Sequence, residues 1–202
     1  MFALVESGSI TQMINGSRGI TIDGVQHPRT IYTLWTEAER NAIGIYTVEI
    51  DNSKKKDEQW YVNTNITYSF DGSKVTGSYG DATARAHADT LYTDEDKSKD
   101  EIPAGKDVGD VKVEGLKTIL IRQVKNQAEG ELNKTDWYIT RKSEKDTAIP
   151  SSITTHRDAV RAKQAEMETA ITNASDTPAL ETLYTRDENS ERPIGDLPTL
   201  ED

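Results

Sequence analysis

The residues of this chain that could do chemistry are three histidines and many carboxylates. His27 precedes Pro28 and is typical of a turn, whereas His156 lies in a helical segment and is expected at a surface or an interface. No two of the histidines, His87 included, have the spacing of metal ligands on one element. The histidines therefore favour structural positions over a zinc site.

The carboxylates are numerous, with 35 Asp and Glu residues, so a pair at glycosidase distance could arise by chance. Such a pair needs one acid in an apolar pocket that raises its pKa. Asp136 has the aromatic neighbour Trp137, but capping of a turn by Thr135 or Asp136 is the simpler interpretation. Residues 94–100 are similar to a calcium loop but lack its central glycine and terminal glutamate. We predict a protein that is not an enzyme and holds no metal or cofactor.

The other chemical motifs are missing or incomplete. The chain has no cysteine, which excludes disulfides, thiolate metal sites and cysteine nucleophiles. It has no Gly-x-Ser-x-Gly elbow and no Gly-x-Gly-x-x-Gly loop. The glycine-rich residues 77–81 follow a hairpin and lack the lysine of a phosphate loop, so they are interpreted as a turn that ends a strand.

Composition restricts the partners. The chain has 202 residues, is 34% hydrophobic and carries a formal net charge of −11, which disfavours nucleic acid. The basic run 54–56 is followed at once by Asp57 and Glu58 and is interpreted as a solvated turn. No apolar run approaches the roughly 18 residues of a membrane span, and the first residues lack a signal-peptide pattern. We expect a soluble protein that stays on the side where it is made, with no nucleic-acid or membrane partner.

Residues 1–92 are predicted to form a small antiparallel β-rich domain. Alternating residues predict strands at 20–25 and 46–50, and β-forming residues predict another at 60–70. Asp-Gly pairs at 23–24 and 71–72 predict hairpin turns.

One short helix is expected between these strands. Thr36 and Glu39 have the spacing of a capping box, and Gly44 is a natural C-cap. Trp35 is placed as a hydrophobic staple, and residues 82–91 are compatible with a second short helix.

The second half of the chain is predicted to be helical. Residues 93–113 are charged, contain Pro and Gly, and predict an extended acidic linker. Apolar residues at 116, 119, 120, 124, 128 and 132 predict an amphipathic helix within a helical hairpin, 114–175. The aromatic, β-branched run 137–140 is expected to be extended. An acidic, Pro-containing tail, 176–202, completes an α+β fold.

The second helix of the hairpin carries a stripe at seven-residue steps. Its members are Ile153, Val160, Met167 and Ala174. Packing on the first helix and self-association into a bundle both fit this spacing.

The order of a helix, Thr-Asp-Trp-Tyr-x-x-Arg, Ile-Pro and a helical Arg-x-x-x-Arg resembles the C-terminal region of bacteriophage tail assembly chaperones and tail fibre assembly proteins. Residues 35–46 are similar to an N-terminal segment of such proteins. The resemblance covers about 116–172. Its matching positions are Leu132, Thr135, Asp136, Trp137, Tyr138, Arg141, Glu144, Ile149, Pro150, Ile153, Arg157, Val160 and Arg161.

This resemblance implies a protein that binds a tail-fibre or baseplate protein in the host cytoplasm during assembly. Some such proteins leave, and others remain as structural proteins of the virion tail. A homo-oligomer is a further partner hypothesis. The candidate partner-binding residues are Trp137, Tyr138, Arg141, Arg157 and Arg161, because Trp, Tyr and Arg dominate interface energetics.

Each candidate also has a structural interpretation. Trp137 is expected in the core between the helices. The three arginines fit an interface and a solvated face equally well. On a solvated face, Arg157 and Arg161 would pair with Glu131, Glu144 or Asp158.

Two other classes of function remain. A carbohydrate-binding host-adhesion module would use exposed aromatics, for which the candidates are Trp60, Tyr61, Tyr68 and Tyr79. An enzyme acting on polysaccharide would use an acid pair that the sequence does not reveal.

Overall fold

A computed structural model describes residues 1–200. The chain folds into two compact units, Met1–Thr83 and Ala84–Asp202. The first unit is rich in strands and the second in helices, which confirms the predicted α+β class. The boundary differs from the expected one: it lies at 83–84, and residues 93–113 belong to the second unit instead of linking two domains.

The first unit contains a mixed sheet with strand order β2-β1-β5-β8-β7. Strands β5 and β8 pair in parallel, whereas the other neighbours in this sheet are antiparallel. The elements are β1 (Phe2–Glu6), β2 (Ser9–Ile14), β3 (Ile20–Ile22), β4 (Val25–His27), α1 (Ile31–Leu34), α2 (Glu37–Ala42), β5 (Ile45–Asp51), β6 (Tyr61–Val62), β7 (Thr67–Phe70), β8 (Val75–Ser78) and, at the boundary, β9 (Thr83–Ala84).

Strand β1 is buried on both faces of this sheet. Leu4 packs in one cluster with Ile31 and Ile45, whereas Ala3 and Val5 pack in another. Successive side chains of a strand point to opposite faces, so one short apolar strand supplies both cores.

The turn chemistry predicted for this unit is confirmed. Asp23 and Gly24 both have positive φ, as the tight β3–β4 turn requires, and the second hairpin joins β7 to β8. Thr36 and Glu39 form the capping box of α2. Gly44 follows α2 with φ +80°, and a Cβ there would lie 2.6 Å from the Val5 carbonyl oxygen.

The second unit is built on a pair of long helices, α4 and α6. Its elements are β10 (Thr90–Leu91), α3 (Asp94–Ser98), β11 (Val111–Val113), α4 (Leu116–Asn133), α5 (Asp136–Lys145), α6 (Ser151–Asn173) and α7 (Thr177–Tyr184).

Helices α4 and α6 pack along an apolar seam. All four residues of the seven-step stripe of α6 are buried, and on α4 Leu120, Val124 and Ala128 are buried. The predicted packing of the second helix on the first is confirmed, while self-association stays a prediction.

Two local expectations for the second half of the chain are wrong. Residues 82–91 form no helix but two short strands, β9 and β10, joined by irregular chain, and the run 137–140 is helical. Within the described part of the tail, 176–200, α7 buries Leu180, and Ile194 is buried with its N–H donating to the Leu183 carbonyl. Leu180 and Ile194 are far apart in the sequence, so no local apolar pattern predicted that both are buried.

The expected linker 93–113 forms a closed loop held by polar contacts. Thr93 and Asp96 make a second capping box, at the start of α3. Lys112 contacts the Asp96 carboxylate, and the Tyr92 N–H donates to the Asp110 carbonyl. Composition predicted an open linker because the residues are polar, yet polar side chains and backbone groups close the loop by themselves.

Asp96 makes the stability of this loop sensitive to acid. Its contacts with Lys112 and with the Thr93 N–H and hydroxyl hold the pKa of Asp96 well below its usual value. Because the folded pKa lies below the unfolded value of about 4, the stabilisation is present above that pH and is lost as the pH falls below it.

We expect Asp96→Asn to remove part of the acid dependence of the urea unfolding midpoint between neutral pH and about pH 3. Asp94→Asn, at an exposed position of the same helix, is the control and should retain that dependence.

The α4–α6 seam should dominate the stability of the second unit. Met167 is almost fully buried, so Met167→Ala leaves a cavity and is expected to lower the free energy of unfolding by about 2–5 kcal/mol. Glu166→Ala, at the neighbouring exposed position, removes a surface ion pair with Lys163 and is expected to cost less than about 1 kcal/mol. Equal losses in urea unfolding of the two variants would contradict this packing.

Candidate functional site

Helix α5 is the element on which the predicted site residues converge. It follows α4 after a turn at Thr135, whose N–H donates to the Leu132 carbonyl at 3.0 Å. Asp136 in its first turn and Lys142 and Lys145 in its last turn complement the helix dipole. These charges favour a helix over the strand that the aromatic run suggests.

Arg157 of α6 holds the junction between α4 and α5. Its Nη1 donates to the Leu132 carbonyl at 2.8 Å and to the Thr135 hydroxyl at 2.6 Å, and lies 2.8 Å from Oδ1 of Asp136. Arg157 is 8% exposed and Thr135 is fully buried. Of the candidate residues, Arg157 is therefore a positioning residue with little surface to offer a partner.

The ion-pair partners expected for the arginines need correction. Arg157 pairs with Asp136 and not with Glu131, which instead pairs with Lys134 at 2.7 Å. The sequence assigns Asp136 to capping of a turn, and its pairing with Arg157 depends on how α5 and α6 meet in the fold. The pair of Arg161 with Asp158, at 3.2 Å, is confirmed.

The side chains of Trp137, Tyr138 and Arg141 form one group, here called the aromatic patch, in which Trp137 is exposed and the other two are half-buried. The ring centroids of Trp137 and Tyr138 are 3.7 Å apart. The Arg141 guanidinium carbon lies 4.7 Å from the Trp137 ring centroid and 5.1 Å from that of Tyr138. These distances are within the range of cation–π attraction, so the three side chains support one another.

The expected core position of Trp137 is wrong. Its side chain is 51% exposed, and Ile139 beside it is 44% exposed. Helix α5 has no buried residue, because the seam between α4 and α6 is filled by their own apolar side chains. A half-exposed tryptophan stacked with a tyrosine and an arginine presents a large rigid surface at low entropy cost.

Arg161 lies apart from the aromatic patch, on the exposed face of α6. It lines an open groove that also involves Leu132 and, along α6, Gln164, Ala165 and Glu168. The structure therefore does not gather the five candidates into one site: three form the patch, one holds its helix and one lines a groove.

The remaining groups offer little chemistry. His27 lies edge-on to the Trp35 ring at 5.7 Å, and His156 is half-buried on α6 with its Nε2 enclosed and unpaired. Within residues 1–200, no group of three or more His, Asp or Glu side chains is placed to hold a metal ion. Along the same residues, no helix combines the length and apolar character needed to cross a membrane.

The aromatics named for carbohydrate binding are mostly unsuited to it. Trp60 is 4% exposed and Tyr61 is also buried, so the expectation that they are exposed is wrong. Tyr68 and Tyr79 are half-buried, and Tyr68 packs against the sheet core.

In comparisons with known proteins, the chain matches no family model, no curated protein and no solved structure. The assignment of function therefore depends on the residues of the site itself.

The Arg157 contacts predict a specific loss of stability. Arg157→Gln shortens the side chain and leaves the Thr135 hydroxyl without its donor, so we expect a loss of about 1–3 kcal/mol in the free energy of unfolding. Arg161→Gln removes an exposed pair and is expected to cost less than about 1 kcal/mol. Urea unfolding measures both, and a loss for Arg161→Gln as large as that for Arg157→Gln would contradict the positioning role.

Proposed function

We propose that this chain is an interaction protein of a bacteriophage tail, which binds a tail-fibre or baseplate protein during assembly. The observation that carries the proposal is the aromatic patch on α5, within the segment that resembles tail assembly chaperones. Residues Thr135 to Arg141 belong to that resemblance, and Trp137 is half-exposed.

Exposed apolar surface on the aromatic patch has an unfavourable free energy in water, and this is the physical basis of the proposed binding. Trp137, Ile139 and the rings of the patch expose apolar area on a helix that buries none of its residues. A partner that covers this area removes it from water and gains about 25 cal/mol per Å² buried. Because Trp, Tyr and Arg are the residues that most often dominate binding energy, the patch is suited to be the centre of an interface.

The mechanism of this function is binding without a chemical step. The α4–α6 pair provides a rigid support, and Arg157 fixes the start of α5, so the patch is presented in one arrangement. A preorganised surface loses less conformational entropy on binding than a mobile one. The protein then leaves after assembly or stays in the virion tail.

Co-expression with each tail-fibre and baseplate protein of the same phage, followed by affinity capture, tests the proposal. We expect one of these proteins to be retained, and Trp137→Ala to weaken its binding by about 2 kcal/mol or more, roughly 30-fold. Leu34→Ala is the matched control, because Leu34 is a large side chain that is 76% exposed in the first unit. Circular dichroism verifies that both variants fold.

Capture of no tail protein, or equal binding by wild type and Trp137→Ala, would count against the proposal. Mass spectrometry of purified phage particles then separates the two fates. Peptides of this chain at a fixed ratio to tail proteins indicate a virion component, and their absence indicates a protein that leaves.

A further inference from the structure

Arg141 is an arginine without an acceptor in a chain rich in acceptors. Among residues 1–200, its guanidinium makes no hydrogen bond and no ion pair, and its Nε is enclosed and unpaired. The chain has 35 acidic and 24 basic side chains, so carboxylates are in excess. Arg122 illustrates the usual outcome, since its two Nη atoms lie 2.6 and 2.7 Å from the carboxylate of Glu114.

The position of Arg141 explains why it is unpaired. Its guanidinium is held over the rings of Trp137 and Tyr138, so it is fixed by stacking and not by a carboxylate. The enclosed Nε leaves the end of the guanidinium, Nη1 and Nη2, as the donors that an incoming group would meet. These two atoms form the fork that matches both oxygens of a carboxylate.

The charges of α5 favour an acidic binding partner. The helix carries three basic and two acidic side chains, whereas the whole chain has a net charge of −11. Of the two acids, Asp136 is paired with Arg157. With three basic and two acidic side chains the helix itself carries a net charge of +1, although Lys142 is paired with Asp146 directly after it.

We propose that Arg141 binds an Asp or Glu side chain of the partner protein, with both carboxylate oxygens on Nη1 and Nη2. The residues beside that acid are apolar and cover Trp137 and Ile139. This inference rests on the proposed function, because it names the partner chemistry of the same patch. The apolar cover excludes water and strengthens the charged hydrogen bonds, which in turn fix the register of the partner segment.

Selection of short random peptides on the full-length protein tests this inference without a known partner. We expect the enriched peptides to share one acidic residue flanked by apolar residues, and to lose binding to Trp137→Ala. Arg141→Gln should weaken the selected peptides by about 10- to 100-fold, and Arg141→Lys should recover only part of that loss, since it restores charge but not the fork. Lys145→Gln, which removes one charge from the same helix, is the matched control and should change binding less than about threefold.

The acid itself is identified on the peptide side. Replacing the shared Asp or Glu by Asn or Gln should weaken binding to the wild type but hardly affect binding to Arg141→Gln, as expected for two directly coupled groups. The inference is overturned if the enriched peptides lack a shared acid, if none depends on Trp137, or if Lys145→Gln loses as much affinity as Arg141→Gln.

The two proposals fail in different ways. Acid-dependent peptides together with no captured tail protein would overturn the tail function and leave the carboxylate site standing. A captured tail protein that needs Trp137 but binds Arg141→Gln as well as wild type would overturn the carboxylate site alone. Selection of the chain's own acidic segments would point to a second copy as the occupant and overturn the inference of a different partner protein.

Discussion

The buried guanidinium of Arg157 is the constraint on which the functional surface depends. It reaches the carbonyl of Leu132 in the last turn of α4, together with the hydroxyl of Thr135 and the carboxylate of Asp136. These three groups mark the end of one helix, the turn and the start of the next. One side chain from α6 therefore fixes where α5 begins. Since Trp137 directly follows Asp136, the exposure of the aromatic patch is a consequence of that contact.

In the second unit, the helices that form the core are α4 and α6, whereas α5 exposes apolar side chains. Helices α4 and α6 pack their apolar stripes against each other, and the stripe of α6 is buried from Ile153 to Ala174. Helix α5 contributes no buried residue and is held through the polar contacts of Arg157 at its start. An element secured in this way keeps its apolar side chains available. It is the part of this unit best suited to contact another protein without unfolding anything.

Polar and charged side chains fix the ends of several helices in this protein, whose hydrophobic content is only 34%. Two capping boxes, at Thr36 with Glu39 and at Thr93 with Asp96, start short helices that bury little apolar surface. Asp89 accepts hydrogen bonds from the Gly115 N–H and the Thr118 hydroxyl, so it caps α4 from a distant part of the chain. Polar contacts of this kind satisfy backbone groups that a small core cannot enclose. Against this background, the guanidinium of Arg141 makes no hydrogen bond or ion pair within the described residues and lies beside two aromatic rings.

Features that depend on neighbouring residues were predictable from the amino-acid sequence. Alternation and Asp-Gly turns predicted the hairpins, the Thr36 and Glu39 spacing predicted the cap of α2, and the seven-step stripe predicted which side of α6 is buried. Local spacing suffices there because the interacting atoms are a few residues apart. Tertiary structure alone decided that Trp137 is exposed, that Arg157 is buried, that residues 93–113 close into a loop and that β5 pairs in parallel with β8. Each of these depends on groups distant in the sequence, and the fold decides which of many equivalent carboxylates, carbonyls and apolar side chains come within contact distance.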